Sequence, residues 1–342
     1  MSRTQTATAR ADGGAETGAA VAAARAGDQA AFAGLAEAYR AELRAHCYRM
    51  LGSFEDSEDL VQETFLRAWR RRASFQGRST FRAWLYRIAT NACLDALERR
   101  PRQVSGHGAQ PLAEVPWLQP YPDELLEGIA PPEDEPDAEV VARETIELAF
   151  IAAIQLLPPK QRAVLILRDV LGWSAADSAS LLDVTVAAVN SALQRARATL
   201  KQHLPRRRVD WERGSDPTRE ERALLQRYMD ATDRGDPAAM VELIREDALF
   251  SMPPQAESWV GNEAIVGAWV EGGFGSASHG ELRCVPTAAN RQPAVACYLK
   301  RPGDTAYRPL AVDVLRIEGG RVAEIVAFGP EVFPAFGLPP SV

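Results

Sequence analysis

The apolar residues in the first third of the chain recur at helical spacing. Over residues 25–102 they fall at i, i+3, i+4 and i+7, as Phe32, Leu35, Ala36 and Tyr39 do. This spacing places them on one face of an α-helix, which is buried against other helices. The pattern predicts an all-helical first module.

Helical spacing returns over residues 139–204. Three breaks interrupt it, at Pro158 and Pro159, at Gly172, and at the turn from Asp183 to Thr185. Proline removes a backbone donor and glycine weakens a helix, so each break is expected to end one. The pattern predicts one long helix followed by three shorter ones in a second all-helical module.

The period changes in the last third of the chain, over residues 218–332. Two helical stretches come first, at 219–234 and 237–243. Alternating apolar residues then predict strands, as from Val295 to Leu299, and Gly319-Gly320 suits a hairpin turn. The predicted fold class is multidomain, with two all-α modules followed by an α+β domain.

Four segments lack such patterning. Residues 1–24 are mostly Ala, Gly, Thr and Arg, and we expect a disordered tail because they offer little apolar surface to bury. Residues 103–138 form an acidic, proline-rich linker, since residues 104–142 hold nine acidic residues, seven prolines and no Lys or Arg. A basic linker at 205–217 and a short tail at 333–342 complete the division.

Apolar side chains interrupt the acidic linker. Trp117, Leu118, Tyr121, Leu125 and Leu126 stand among its prolines and carboxylates. A self-repelling, extended linker has no need of such groups. They predict that this part of the linker docks onto another surface.

An acidic stripe follows the first module's central helix. Asp56, Asp59 and Glu63 fall at i, i+3 and i+7, with Gln62 beside them and an apolar stripe opposite. One interpretation is a solvated helix face. The other is a contact for a basic partner, which would relieve the repulsion between like charges.

The following segment interleaves arginines with aromatic residues. Such a mixture suits unstacked nucleic acid, because guanidinium groups pair with phosphates while rings stack on bases. Phe81, Leu85, Ile88 and Ala92 are assigned to the helical core. Trp84, Tyr86 and Asn91 are left as contact candidates.

The second module contains a predicted helix-turn-helix. Ser174 is placed to cap one helix, with Asp177 three residues on, and Thr185 to cap the next, over residues 186–203. The second helix carries side chains suited to a major groove: Asn190, Ser191, Gln194, Arg195, Arg197 and Lys201. The alternative is a plain helical hairpin.

Three motifs together resemble the extracytoplasmic-function family of sigma-70 transcription initiation factors. They read DSEDLVQETFLRAW, STFRAWLYRIATNACLD and LPPKQRAVLILRDVLGWSAADSASLLDVTVAAVNSALQRARATL. The resemblance covers about residues 29–204. It implies sigma region 2 at 25–102 and region 4 at 139–204.

The resemblance also implies partners and contact residues. Core RNA polymerase would bind the first motif on its β′ clamp and region 4 on its β flap, and the implied clamp contacts are Asp56, Asp59, Gln62 and Glu63. The melted minus-ten promoter strand would face the loop from Phe75 to Ser79 and the side chains Trp84, Arg87 and Asn91. The minus-thirty-five duplex would face Thr185, Ser191, Gln194 and Arg195.

The last domain resembles SnoaL-like domains, whose NTF2-like fold is a cone of helices against a curved sheet. The resemblance rests on RYMDATDRGDPAAMVELIREDALFSMPP and WVGNEAIVGAW. Cyclases of this fold use an acid/base Asp or His, for which His279 and Asp313 are the candidates here. Because no second titratable group converges with either in the sequence, no catalytic residue is predicted.

Composition narrows the class of protein further. A net charge of -7 over 342 residues argues against a uniformly basic coat for nucleic acid. Cys47, Cys93, Cys284 and Cys297 form no CxxC or His/Cys cluster, so we expect buried thiols, no disulfide framework, no metal and no cofactor. No run approaches the ~18–20 apolar residues of a membrane span, and no signal-peptide core is found, so a cytoplasmic protein is expected.

Two functional hypotheses follow. The first is a non-enzymatic sigma factor that binds core polymerase and selects promoters, with its C-terminal domain regulating it in cis. The second is a SnoaL-like enzyme or ligand sensor that the helical modules tether to DNA. A small-molecule ligand of the C-terminal domain is possible under either hypothesis.

Overall fold

The structure, a computed structural model, describes residues 18–77, 79–99, 115–126, 145–203, 218–255 and 257–342. The chain divides into two compact units. The first holds 1–51, 55–102 and 159–193, and the second holds 52–54, 103–158 and 194–342. The predicted basic linker and most of the acidic linker lie outside the described residues.

Four helices build the first module. Residues 18–26 form α1, followed by α2 (Gln29–Leu51), α3 (Phe54–Arg71) and α4 (Phe81–Arg99). The expected disorder is therefore wrong for residues 18–24. Alanine has the highest helix propensity, and Ala24 is buried.

The core of this module lies between α2 and α4. His46 is fully buried there, its Nε2 is 2.9 Å from Oγ1 of Thr90, and its ring packs edge-on against Tyr86. Burial, with Arg49 and Arg82 nearby, lowers the pKa of His46 to about 3. His46 is therefore neutral in the folded protein at physiological pH.

The second module is helical, as predicted, but the predicted order of one long helix and three shorter ones is wrong, because the first described helix has 8 residues and the last has 18. Its helices are α5 (Leu148–Gln155), α6 (Pro159–Leu165) with a π-helical turn (Ile166–Val170), α7 (Ala175–Leu182) and α8 (Val186–His203). The three predicted breaks are confirmed. Within the described residues, α5 begins only at Leu148, later than predicted, because residues 145–147 form a turn held by the C-terminal domain.

In the first unit, α6 and the turn before α7 contact the first module. The guanidinium group of Arg162 donates to the carbonyl oxygen of Met50, and Arg162 is buried. The ring of Trp173 lies 5.6 Å from that of Tyr86, between centroids.

The C-terminal domain is α+β, as predicted. Its helices are α9 (Arg219–Asp233), α10 (Pro237–Leu243) and α11 (Asn262–Glu271). Its strands are β1 (Ile244–Ser251), β2 (Ser258–Val260), β3 (Glu281–Ala289), β4 (Gln292–Lys300), β5 (Arg308–Glu318) and β6 (Arg321–Phe328). The strand order is β2-β1-β6-β5-β4-β3, with β1 parallel to β6 and the other pairs antiparallel.

Local signals explain these elements. Thr218 and Glu221 form a capping box at the start of α9, and Asp236 caps α10. Gly319 and Gly320 adopt φ values of 57° and 73° in the β5–β6 hairpin, as a primed turn requires. The three helices and one face of the sheet enclose a single apolar core.

The predicted C-terminal tail packs on the domain. A 3₁₀ helix (Pro330–Phe336) buries Phe333 against the ring of Tyr298, and the Tyr298 hydroxyl donates to the carbonyl of Pro339 at 3.0 Å. Along the described part of the chain, no helix combines the length and apolarity needed to cross a membrane.

Candidate functional site

The acidic stripe lies on the outer face of α3. Asp59 and Gln62 are exposed, whereas Asp56 and Glu63 are half-buried. Arg67 donates to Glu63 at 2.7 Å and, across to α4, to Asp95 at 2.8 Å. The hydrogen bond that Arg67 donates to Glu63, and then the one it donates to Asp95, raise the pKa of Arg67, so this end of the stripe is already partly neutralised.

An exposed leucine lies on the same face. Leu66 has 51% of its surface exposed and follows Gln62 by one helical turn. Its exposure could not be predicted from the sequence, because one apolar residue off the core stripe gives no periodic signal. The outer face of α3 is therefore both acidic and apolar.

The predicted DNA face of α4 is present in part. Trp84 is half-buried, and Arg87 and Asn91 are exposed at i+3 and i+7 from it. Tyr86, a contact candidate from the sequence, is wrong: it is fully buried and its hydroxyl donates to Glu42 at 3.2 Å. Burial and the Glu42 carboxylate raise its pKa.

The loop before α4 is supported by aromatic packing. Phe75, a candidate contact, is buried against Phe81 and Trp84, at centroid distances of 5.7 Å and 5.3 Å, so its ring is not free to stack on a base from outside. Ser79 is exposed. The loop borders an open cleft of about 590 Å³, lined by Gly18, Val21, Tyr39, Phe75, Thr80, Phe81 and Arg82.

The helix-turn-helix signals are realised as predicted. Ser174 Oγ accepts the Asp177 N–H at 3.0 Å, and Thr185 Oγ1 accepts the Ala188 N–H at 3.1 Å. Asp183 ends α7 in the left-handed region, with φ of 54°. On α8, three candidates share one exposed face: Ser191, Gln194 and Arg195.

The apolar part of the linker is docked, as the sequence predicted, and its surface lies in the second unit. Leu118, Tyr121 and Leu126 are buried. The linker contacts the loop before α3 and the first residue of that helix: Gln119 N–H donates to the Gly52 carbonyl at 3.0 Å, and the ring of Phe54 lies 5.5 Å from that of Tyr121.

The tip of the β3–β4 hairpin holds this linker. Asn290 Oδ1 accepts the Tyr121 N–H at 2.7 Å, and the Asn290 N–H donates to the Tyr121 carbonyl at 2.9 Å. Asn290 Nδ2 donates to the Ile146 carbonyl at 2.6 Å, and Gln292 Oε1 accepts the Leu148 N–H at 3.1 Å. We call this set of bonds, with that from Arg291 N–H to Asp123 Oδ1 at 2.8 Å, the Asn290 clasp.

The core of the C-terminal domain holds a buried polar cluster. Asp313 is packed between strands and accepts the hydroxyl of Tyr228 at 3.0 Å, while the Cys297 sulfur lies 3.8 Å from the same carboxylate oxygen. Burial raises the pKa of Asp313 to about 6, against the two hydrogen bonds, which lower it. This contact could not be predicted from the sequence, because Tyr228 lies 85 residues away from Asp313.

His279 lies in the loop after α11 and is not part of the cluster around Asp313. Its backbone N–H donates to Ser276. Among the described residues, no group of three or more His, Cys, Asp or Glu side chains is arranged to hold a metal ion.

Comparison with known proteins assigns the chain to a family. Sigma-70 region 2 matches residues 35–103, Sigma-70 region 4 matches 147–200, and the SnoaL-like domain matches 225–325. The sigma factor SigG of Mycobacterium tuberculosis is 42% identical over 323 residues, covering 91% of this chain and 85% of SigG. The chain belongs to the extracytoplasmic-function RNA polymerase sigma factors.

Two further similar proteins cover different shares of this sigma factor. SigW of Bacillus subtilis is 32% identical over 178 residues, covering 52% of this chain and 91% of SigW. The crystal structure of SigJ from M. tuberculosis has a TM-score of 0.57 at 22% identity and covers 89% of this chain and 98% of SigJ, so it shares the fold. The sigma factor therefore combines regions 2 and 4 with a SnoaL-like domain, and the resemblance seen in the sequence is confirmed.

Proposed function

We propose that this sigma factor binds core RNA polymerase in the cytoplasm and directs promoter recognition and initiation, without catalysing a reaction itself. One observation carries the proposal: in both sigma regions, the predicted contact helices present polar candidates outward while their apolar faces are buried. The exposed candidates are Asp59, Gln62, Arg87, Asn91, Thr185, Ser191, Gln194 and Arg195.

The outer face of α3 suits the polymerase clamp. Asp59 and Gln62 offer charge and hydrogen-bond acceptors, and Leu66 adds an apolar contact between them and the end of the helix. Desolvated apolar groups with charged neighbours give both affinity and orientation at interfaces. In this proposal region 4 binds the β flap in turn.

The cleft beside the Phe75–Ser79 loop suits an unstacked base of the minus-ten element. Its aromatic lining, together with Arg82, would offer both stacking and phosphate contacts. Phe75 then acts from inside, as a wall of the cleft. Trp84, Arg87 and Asn91 would line the path of the strand along α4.

The exposed face of α8 suits the minus-thirty-five duplex. Gln194 and Arg195 carry the donors that pair with adenine and guanine edges in a major groove, and Ser191 lies on the same face. Thr185, at the N-terminus of the helix, is placed for a phosphate.

We further infer that the SnoaL-like domain regulates the sigma regions through the Asn290 clasp. The clasp fixes the linker at Tyr121 and the start of region 4 at Ile146 and Leu148. A sigma factor engaged with polymerase and promoter needs this linker extended, so docked and released states compete. Release of the clasp should therefore favour initiation. A small-molecule ligand of the domain stays a prediction.

The test is in vitro transcription with core polymerase and a cognate promoter. The double variant Asp59→Lys/Glu63→Lys should lose polymerase binding and transcription while its circular dichroism stays that of the wild type. The matched control is Glu263→Lys/Glu271→Lys, which makes the same charge change on the exposed face of α11. Equal loss in both variants, or unfolding of the first alone, would overturn the assignment of α3.

A further inference from the structure

Two cysteines lie directly opposite each other in the C-terminal domain. Cys284 on β3 is the register partner of Cys297 on β4, and their sulfur atoms are 3.8 Å apart. Both side chains are buried, and both cysteines are free thiols. Neither has a part in the proposed polymerase or promoter contacts.

The backbone around the pair suits a cross-strand disulfide. The Cys284 N–H donates to Oδ1 of Asp233 on α9 at 2.7 Å, away from β4. Facing residues of an antiparallel pair that do not exchange N–H···O bonds have Cα atoms ~4.5 Å apart, the closer of the two arrangements. Disulfides span Cα distances of ~4.4–6.8 Å. The bridge therefore needs side-chain rotation and little movement of the strands.

We propose that Cys284 and Cys297 are a redox modification site, a dithiol that peroxide oxidises to a reversible cross-strand disulfide. The Cys284 thiolate attacks the peroxide O–O bond, giving a sulfenic acid and a hydroxide ion, and this hydroxide takes up the proton that the Cys284 thiol released and becomes the first water. The Cys297 sulfur then attacks the sulfenic sulfur, forming the S–S bond and expelling the second water. In sum, two thiols and one hydrogen peroxide become one disulfide and two waters.

The neighbours of the pair assign the order of these steps. Cys284 is on the edge strand and is the more exposed of the two, at 8% against 4%, so it meets the oxidant first. Asp313 Oδ2 lies 3.8 Å from the Cys297 sulfur. This carboxylate is placed to take the Cys297 proton and pass it to the departing hydroxide.

The environment of the two cysteines slows their oxidation. The contact with Cys284, followed by burial, holds the pKa of Cys297 well above its usual range. The contact with Cys297 lowers the pKa of Cys284, but burial and Asp233 leave it raised overall. Since the thiolate is the reactive form, oxidation answers a sustained oxidant load and not a brief pulse.

The disulfide would close the hairpin that carries the clasp. The two cysteines are 13 residues apart, and the turn at Asn290 and Arg291 lies between them. A cross-link removes open conformations of the segment that it closes. Oxidation should therefore keep the clasp formed and the linker docked, a consequence that rests on the proposed regulation in cis, whereas the disulfide itself does not.

The first experiment treats the purified full chain with hydrogen peroxide and counts thiols after denaturation. Two of the four thiols should be lost, peptide mapping should join Cys284 to Cys297, and dithiothreitol should restore all four. Cys47 and Cys93, buried in the first unit, serve as internal controls. Four surviving thiols, or oxygen addition without a cross-link, would overturn the proposal.

The second experiment uses variants and hydrogen exchange. Cys284→Ser and Cys297→Ser should each abolish the cross-link, and Cys284→Ala/Cys297→Ala shows whether the domain folds without either thiol. In the wild type, the Tyr121 amide should exchange several-fold more slowly after oxidation, with no change in the double alanine variant. Equal exchange in oxidised and reduced wild type would disprove the link to the clasp. The thiol count is independent of polymerase, so it separates this failure from failure of the proposed function.

Discussion

The backbone N–H of Tyr121 donates to Oδ1 of Asn290 at 2.7 Å, across 169 residues of sequence. Asn290 is fully buried, and its φ of 56° lies in the left-handed region that asparagine and glycine tolerate. One side chain therefore both shapes a hairpin turn and holds a linker from a different part of the chain.

The substitution Asn290→Gly should release the linker. Glycine keeps the turn conformation while removing both side-chain hydrogen bonds, so docking should weaken by about 1–3 kcal/mol. Hydrogen exchange at the Tyr121 amide would measure the release, and transcription from a cognate promoter should rise. Asn290→Asp retains the acceptor for the Tyr121 N–H, so its protection of the Tyr121 amide should lie between those of the wild type and Asn290→Gly. Unchanged protection in both variants would contradict the role given to the clasp.

Leu66→Ala should weaken the affinity for core polymerase with little effect on folding. Its side chain is half exposed, so truncation costs few packing contacts in the free protein. Affinity is checked by titrating labelled polymerase, and the free energy of unfolding by urea. The control is Val270→Ala, an apolar truncation at an exposed position of α11. A stability loss without loss of affinity would return Leu66 to a structural role.

Arg195→Ala should reduce discrimination at the minus-thirty-five element. A bidentate contact to guanine is worth about 1–3 kcal/mol, and the loss should be confined to the matched sequence. Lys201→Ala, at an exposed position on the same helix, should weaken matched and scrambled elements alike. The sequence also predicts Arg207, in the basic linker, to be a phosphate contact, and that residue lies outside the described residues. Binding measured on both duplexes distinguishes the two outcomes, and equal losses for Arg195→Ala would count against base contact.

The stability of the first unit should fall in mild acid because of His46. Its pKa is lowered from 6.5 to about 3, so below pH 6.5 the unfolded chain takes up a proton that the folded chain does not. The free energy of unfolding should then drop by up to about 1.4 kcal/mol per pH unit as the pH falls from 6.5 towards 3. His46→Gln should lower stability at pH 7 and remove this slope. Urea unfolding at pH 7 and pH 5 measures the change in the free energy of unfolding. An equal change in the wild type and in His46→Gln would refute the assignment to His46.

Asp313 should produce the opposite pH dependence. Its pKa is raised from 3.8 to about 6, so between these values the folded chain binds more protons than the unfolded chain. Stability of the C-terminal domain should rise as the pH falls from 6 to about 4. Asp313→Asn, which retains an acceptor for Tyr228, should flatten this rise and stabilise the domain at pH 7. Thermal unfolding across that range provides the measurement.

Local patterns predicted most elements of the fold. The helices α2 to α4, α9 and α10, the caps at Ser174 and Thr185 and the turn at Gly319 all depend on residues within a few positions of each other. Periodicity did not predict that Tyr86 is buried, because it cannot show that Glu42, 44 residues away, accepts a hydrogen bond from the buried hydroxyl. The same limit hid the pairing of Cys284 with Cys297 and the contact of Tyr228 with Asp313, which depend on strand register and on sheet curvature.

The Asn290 clasp could not be predicted from the sequence for a further reason. Docking of the linker could be predicted from its apolar residues, but its acceptor surface lies beyond the second module. Apart from the bond to Asp123 Oδ1, the hydrogen bonds of the clasp use main-chain atoms of the linker and of the start of region 4, which leave no residue pattern there.

That use of the main chain bears on how such a chain evolves. Four of the bonds to the hairpin tip come from the Tyr121 N–H and carbonyl, the Ile146 carbonyl and the Leu148 N–H. Ordinary side-chain replacements in the linker leave these atoms in place, so the linker can drift in sequence while the attachment persists. On the side of the linker and region 4, mutation can remove one of these bonds by introducing proline at position 121 or 148, which removes a donor. Selection on the strength of attachment therefore acts mainly on the hairpin, at Asn290 and Gln292.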